Sequence, residues 1–267
     1  MNTVKPGTYV ACLCTDNYLS GVLVLYESLR KTNPKYPFLC LVSSNVSDAT
    51  IGELKKRNIA YKVKELVDVS ELVGSPMNGW DYTYFKFRIF ELEEYEKVVY
   101  LDSDMIVMNN IDELFDEEPI AACSDGYQFT GKKDNADCGC NSGLLVIKPD
   151  KTLFEKLIAK IPAYIKSGRS GDQGILSKFL EGDRWLPEIY NMTPNMVDKA
   201  CYRTKYYDFK YKDVKVFHFI WRFKPFMTNQ LSFKNTVGLL ARGHFHEIMV
   251  LRKYYGIMKE LGLRIGQ

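Results

Sequence analysis

Apolar and polar positions alternate between two periods through the first two thirds of the chain. Short runs rich in β-branched and aromatic residues, "TYVACLC" (8–14), "FLCLVSS" (38–44) and "AYKVKEL" (60–66), read as strands. Between them, "YLSGVLVLYESLRKT" (18–32) and "DATIGELKKRN" (48–58) place apolar residues on a helical period, with Asp48 the expected N-cap of the second helix. Strand, helix, strand, helix, strand is the signature of a parallel sheet covered on both faces.

The same alternation continues downstream. Lys97-Val98-Val99-Tyr100-Leu101 reads as a buried strand, and "CGCNSGLLVIKPD" (138–150) as a glycine-hinged strand stopped by Pro149. "KTLFEKLIAKIPAYIKSG" (151–168) is helical, "GDQGILSKFL" (171–180) begins another helix with Asp172 near its N-terminus, and "DVKVFHFIWRFKPF" (213–226) is a strand turning at Pro225. From Thr236 to Leu261 the pattern is helical again, and no internal repeat or low-complexity segment interrupts it. The class expected is α/β, a single Rossmann-like domain with a mostly parallel central sheet.

Composition narrows this picture. A chain of 267 residues with 46% hydrophobic content can bury one sizeable core. A catalytic domain over 1–235 with a helical extension, 236–267, packed on it is the expected division. In that extension Leu239, Leu240, Phe245, Met249, Leu251 and Tyr255 are the expected buried residues. Arg242, Arg252, Lys253 and Lys259 beside aromatic residues also permit a membrane-surface reading of it. A net charge of +3 with interspersed signs gives no basis for nucleic-acid binding. The N-terminus lacks the basic patch and apolar core of a signal peptide, and no apolar run approaches the length of a membrane span. Seven scattered cysteines, an odd number, imply reduced thiols and a cytoplasmic protein.

The chemistry concentrates in "YLDSDMIVM" (100–108), where Asp102 and Asp104 follow an apolar strand. Residues i and i+2 of an extended chain point the same way, so two like charges meet at the strand end, and a divalent cation is the usual remedy. In open α/β sheets ligands gather outside such carboxyl ends. An EF-hand loop starting at Asp102 fails, because it would need a glycine where Val107 stands. A phosphatase of the haloacid dehalogenase type remains open, with Asp102 as nucleophile and Asp104 as acid/base, as does plain capping of the next turn. "CGC" with His244 and His246 does not match structural zinc spacing, and a second cysteine pair is lacking. Trp80, Trp185 and Trp221 are each expected in the core, with sugar stacking as the alternative.

"LDSD", "CNSGLLVIKPD", "GDQGIL" and "VKVFHFIWRFKPF", in that order, together resemble the glycogenin and galactinol synthase group, the retaining family 8 glycosyltransferases of GT-A fold. "CLCTDNYLSGVLVLYESLRKT" (12–32) fits that family's first βα unit, so the likeness runs through most of the chain. The resemblance implies a UDP-sugar donor, with Asp102, Asp104 and His218 as ligands of Mn²⁺, or Mg²⁺ less well, since a mixed oxygen and imidazole set suits manganese. It further implies Cys12, Cys14, Thr15 and Tyr18 at the uridine, Ser103 beside the donor with Lys86 as the family's lysine upstream of the aspartate pair, and Lys224 reaching the diphosphate. Asn141, Ser142, Gly143 and Asp125 would border the donor sugar, with Asp172 and Gln173 lining the reaction centre. Transfer of glucose or galactose with retention, the departing phosphate deprotonating the acceptor, would follow, and a homodimer is compatible with it.

The chain departs from that group in places. Cys14 and Thr15 stand where threonine or asparagine is common, and Trp221 where a glycine is. Asp198 occupies about the position of glycogenin's self-glucosylated tyrosine, with Tyr202, Tyr206 and Tyr207 nearby. The acceptor could be a polyol, a glycan or a protein side chain, and a catalytically silent nucleotide-sugar-binding protein is the third reading.

Overall fold

The computed structural model describes residues 4–74, 79–124, 139–169, 171–179, 185–202, 210–220 and 224–266, without the side chains of 199–202. Asp125, Cys138, Trp221, Tyr206 and Tyr207 lie outside these residues, as does the side chain of Tyr202.

The N-terminal half alternates as its periodicity requires. It comprises β1 (Lys5–Leu13), α1 (Leu19–Arg30), β2 (Phe38–Ser43), α2 (Asp48–Lys56), β3 (Ala60–Lys64), α3 (Val69–Val73) and β4 (Tyr95–Leu101). A run of 3-10 turns, Asp81–Glu91, precedes β4. Ser47, not Asp48, caps α2, its hydroxyl accepting from the Thr50 amide at 3.3 Å. Asp48 takes the first helical position instead, where its charge still faces the positive end of the helix dipole.

Downstream come β5 (Met105–Val107), β6 (Ala121–Ser124), β7 (Cys140–Ile147), α4 (Lys151–Lys166), α5 (Gln173–Leu176), β8 (Trp185–Leu186), α6 (Pro194–Tyr202) and β9 (Val216–His218). Seven strands form one sheet in the order β3-β2-β1-β4-β7-β6-β8, and β5 pairs with β9 in a separate ribbon. The first four strands are parallel, β7 runs antiparallel to β4 and β6, and β8 is parallel to β6.

Successive residues of β1 show why its sequence is apolar without interruption. Tyr9, Ala11 and Leu13 join a core that includes Val22 and Leu25 of α1, whereas Val10 and Cys12 join a second core with Phe85 and with Leu157 of α4. A strand covered on both faces needs apolar side chains at both parities. A third cluster gathers Ile106, Phe217 and Val197 with the C-terminal helices.

Those helices are two, α7 (Phe233–Ala241) and α8 (Phe245–Glu260), parted at Gly243, whose φ of +74° is left-handed. Leu239 and Leu251 are buried as expected, but Tyr255 is only half-buried, and Leu240, Phe245 and Met249 are exposed. Restarting α8 after the glycine resets its register. The face that packs carries Ile248, Leu251, Tyr254, Ile257 and Met258.

Candidate active site

The strand β4 ends at Leu101, and the chain reverses over Asp102-Ser103-Asp104 before re-entering as β5, the Met105 amide donating to the Asp102 carbonyl at 3.2 Å. The two carboxylates therefore converge across a turn and not along one face of an extended strand. Opposite β5, the antiparallel β9 sets His218 in register with Met105. Oxygens of Asp102 and Asp104 and a ring nitrogen of His218 all fall within 4.8 Å of one another.

Cations hold this acidic turn together. Lys86, itself buried, lies 3.2 Å from Asp102 Oδ1 and 2.7 Å from Asp172 Oδ2, and donates to Ser142 O and Oγ. Lys224 stands 2.5 Å from Asp104 Oδ2 and donates to the Phe219 carbonyl at 2.6 Å. Tyr100 donates its hydroxyl to Asp102 Oδ1 at 2.5 Å. Burial alone would raise the Asp104 carboxyl, but His218 and Lys224 outweigh it and hold the group far below the carboxylate range. For Asp102 burial prevails over Lys86, and nearby Asp104 adds to the upward shift. Burial would lower Lys86, yet Asp102 and Asp172 together push it up and keep it charged.

A chain of amides sets the imidazole. The Gly143 amide, an unambiguous donor, gives to Asn141 Oδ1 at 3.0 Å, so the Asn191 amide nitrogen, 2.9 Å from that same oxygen, is a second donor to it. Asn191 Oδ1 then faces His218 Nδ1 at 2.9 Å and requires the proton there. With Nδ1 pinned as N–H, Nε2 is the nitrogen turned to the carboxylates, 3.1 Å from Asp104 Oδ1 and 3.7 Å from Asp102 Oδ2: it donates to Asp104 when it carries a proton and offers a lone pair to a cation when it does not. Among the described residues no hydrogen bond of good geometry reaches Asp104 Oδ1, which faces His218 Nε2. Two hard oxygens and one imidazole nitrogen presented in this way fit a divalent cation.

Two glycines permit the arrangement. A Cβ on Gly21 of α1 would lie 2.4 Å from the Ser103 carbonyl, and one on Gly143 would lie 2.3 Å from His218 Cε1.

The turn forms the floor of a cavity of about 530 Å³. Cys12, Cys14, Thr15 and Tyr18 line it from the end of β1, and Lys86, Ser103 and Lys224 from the floor. Asn141, Ser142 and Gly143 of β7 enter from another side, with Asp172 and Gln173 at the start of α5. Every described residue expected at the site thus reaches one space. Asp172 occupies the N-cap position of α5 without a capping hydrogen bond from its side chain, which goes to Lys86 instead. Gln173 Oε1 accepts from the Ser142 amide at 3.4 Å.

Sequence reasoning missed several members. Asn191 sits on no periodic face and is joined to His218 only by the fold. Trp80, expected in the core, is 65% exposed at the cavity rim. It is tied to Asp172 through Thr83, whose hydroxyl donates to the Trp80 carbonyl at 2.6 Å and accepts from the Asp172 amide at 3.1 Å. Trp185 is exposed as well, away from the cavity lining. Neither His244 nor His246 joins a metal cluster among the described residues; they pair with Glu247 and Asp198.

Residues 9–229 match the family described as Glycosyl transferase family 8. The chain belongs to that family. This family 8 glycosyltransferase is 34% identical over 172 residues to inositol phosphorylceramide glucuronosyltransferase 1 of Arabidopsis thaliana, covering 64% of the chain and 29% of the plant protein. It is 30% identical over 228 residues to glycogenin-1 of Caenorhabditis elegans, covering 81% and 50% respectively. The chain spans half or less of both relatives. The solved galactosyltransferase LgtC, in complex with donor and acceptor sugar analogs, shares the fold with a TM-score of 0.66 at 21% identity, over 88% of this chain and 95% of LgtC. The architecture is therefore GT-A, and membership of family 8 disfavours the phosphatase reading of Asp102 and Asp104.

Proposed function

We propose that this glycosyltransferase moves a hexose, glucose or galactose, from a UDP-sugar to an acceptor hydroxyl with retention of configuration. The convergence of Asp102, Asp104 and His218 on the floor of a cavity flanked by Lys86 and Lys224 carries this reading. Asp102, Asp104 and His218 would hold Mn²⁺, with Mg²⁺ a weaker substitute. A cation held there supplies Lewis-acid stabilisation of the departing diphosphate.

The chain's own groups do the rest. Lys224, near Asp104, adds positive charge where the leaving group gathers negative charge. Tyr18 offers a ring face to the uracil beside Cys12, Cys14 and Thr15, and Ser103 borders the diphosphate. Asn141, Ser142 and Gly143 bind the sugar hydroxyls. Asp172 and Gln173 line the reacting face, with the departing phosphate taking the acceptor proton.

A neutral hexose is favoured over a uronate by charge. Among the described lining residues both lysines already face carboxylates, so an added sugar carboxylate would lack its own cation. Self-transfer at position 198 is disfavoured, because Asp198 is buried and accepts hydrogen bonds from the His246 and Glu247 amides. A polyol, a glycan or another protein side chain is the acceptor, in a cytoplasmic setting that agrees with five free cysteines among the described residues.

Incubation with UDP-glucose, UDP-galactose and UDP-glucuronate, with Mn²⁺ or EDTA, tests the proposal. Slow Mn²⁺-dependent release of UDP from a neutral hexose donor is expected, abolished in Asp104→Asn. Absence of both turnover and Mn²⁺-dependent UDP binding would falsify it.

A further inference from the structure

Exposed apolar side chains concentrate on two consecutive helices. Of eleven large ones exposed among the described residues, five, Phe233, Val237, Leu240, Phe245 and Met249, lie within the α7–α8 hairpin. Phe233, Val237 and Leu240 follow the i, i+4, i+7 spacing of one helix face, and Phe245 and Met249 the i, i+4 spacing of the next. The family match ends at residue 229, before either helix begins.

Charge accompanies this surface. From 233 to 266 the chain carries six basic residues, Lys234, Arg242, Arg252, Lys253, Lys259 and Arg264, all exposed, against two acidic ones. Both acidic side chains are engaged, Glu247 with His244 and Glu260 with Lys31. Arg252 and Lys253 stand one turn beyond Met249, so the apolar face of α8 runs directly into a basic one.

We propose that the outer face of α7 and α8 docks the protein on an anionic lipid surface. Apolar side chains on short helices, bordered by lysine and arginine, suit shallow burial at the headgroup boundary. Such docking is peripheral, and among the described residues no helix is long and apolar enough to cross a membrane. A second copy of the chain is the poorer occupant. A two-fold contact through this face would set its cations against themselves.

Co-sedimentation of the full chain with vesicles tests the assignment, using phosphatidylcholine alone and phosphatidylcholine mixed with phosphatidylglycerol. Binding is expected only to the mixed vesicles and should be lost at high salt. Phe233→Ser with Met249→Ser, and separately Lys234→Glu with Arg252→Glu, should each lower the bound fraction roughly tenfold at an unchanged unfolding midpoint. No binding to the mixed vesicles, equal binding to both kinds, or full binding by the variants would overturn the proposal. So would a concentration-dependent dimer that Phe233→Ser with Met249→Ser dissolves, which would assign the face to a second copy.

Discussion

A methyl group on Gly143 would lie 2.3 Å from Cε1 and 2.6 Å from Nδ1 of His218, closer than carbon approaches either atom, so the imidazole must move. Gly143→Ala should therefore weaken Mn²⁺ binding by at least about tenfold, read by calorimetry, in a protein that still unfolds cooperatively. Gly52, exposed in α2 with nothing near its would-be Cβ, is the control: Gly52→Ala should leave Mn²⁺ binding alone and stabilise by about 0.5–1 kcal/mol. Asn191→Ala removes the acceptor that fixes the proton on Nδ1. It should cost about ten- to a hundredfold in Mn²⁺ affinity. Unchanged affinity would show that the tautomer is set by other contacts. Burial first, and then Asp102, push the Cys14 thiol up to about 12. At pH 8 only about one thiol in ten thousand is then ionised, so maleimide labelling followed by mass spectrometry should find Cys14 slow, gaining about tenfold per pH unit. Rapid labelling at pH 8 would contradict that environment. At this scale the converging side chains were legible because aspartate pairs and a strand-end histidine carry their chemistry in their side chains. Asn191 was not, because a lone asparagine acquires its role only from the atom it meets.

Among the elements, the ribbon of β5 and β9 matters most, since it sets His218 opposite Met105 and hence beside the acidic turn. Each of its strands spans three residues, too few to be stable alone, and α8 covers it. Leu251 of α8 is 1% exposed and belongs to the same cluster as Ile106 and Phe217. Leu251→Ala should cost about 2–5 kcal/mol in denaturant unfolding, whereas Met249→Ala, on the open face, should stay within about 0.5 kcal/mol. Equal costs would mean that the assigned faces of α8 are wrong. The parallel strands were legible because a sheet buried on both faces leaves uninterrupted β-branched runs. The two faces of α8 were not, since large apolar residues occur on both and only the restart at Gly243 decides which set packs. The turn at Asp102-Ser103-Asp104 was likewise read as extended strand, because alternation persists through it into β5.

The whole molecule depends on its C-terminal helices in a way that a two-part division understates. Ile248, Val250, Leu251, Tyr254, Ile257 and Met258 are buried against Val24 of α1, Ile106 of β5 and Phe217 and Phe219 around β9. Six such side chains at about 1.5–3 kcal/mol each amount to about 9–18 kcal/mol as an upper estimate. That is comparable to the entire stability of many domains, about 5–15 kcal/mol. A chain ended at Ser232 should thus lose more than an attachment surface: it bares the back of β5 and β9 and releases the histidine that completes the Asp102–Asp104 set. Expression of this truncate should give insoluble protein, or a soluble one without cooperative unfolding and without measurable Mn²⁺-dependent UDP binding. If it instead melts cooperatively and binds UDP with Mn²⁺ as the full chain does, α7 and α8 are an appendage, and the burial around Leu251 and Tyr254 contributes far less than its area implies.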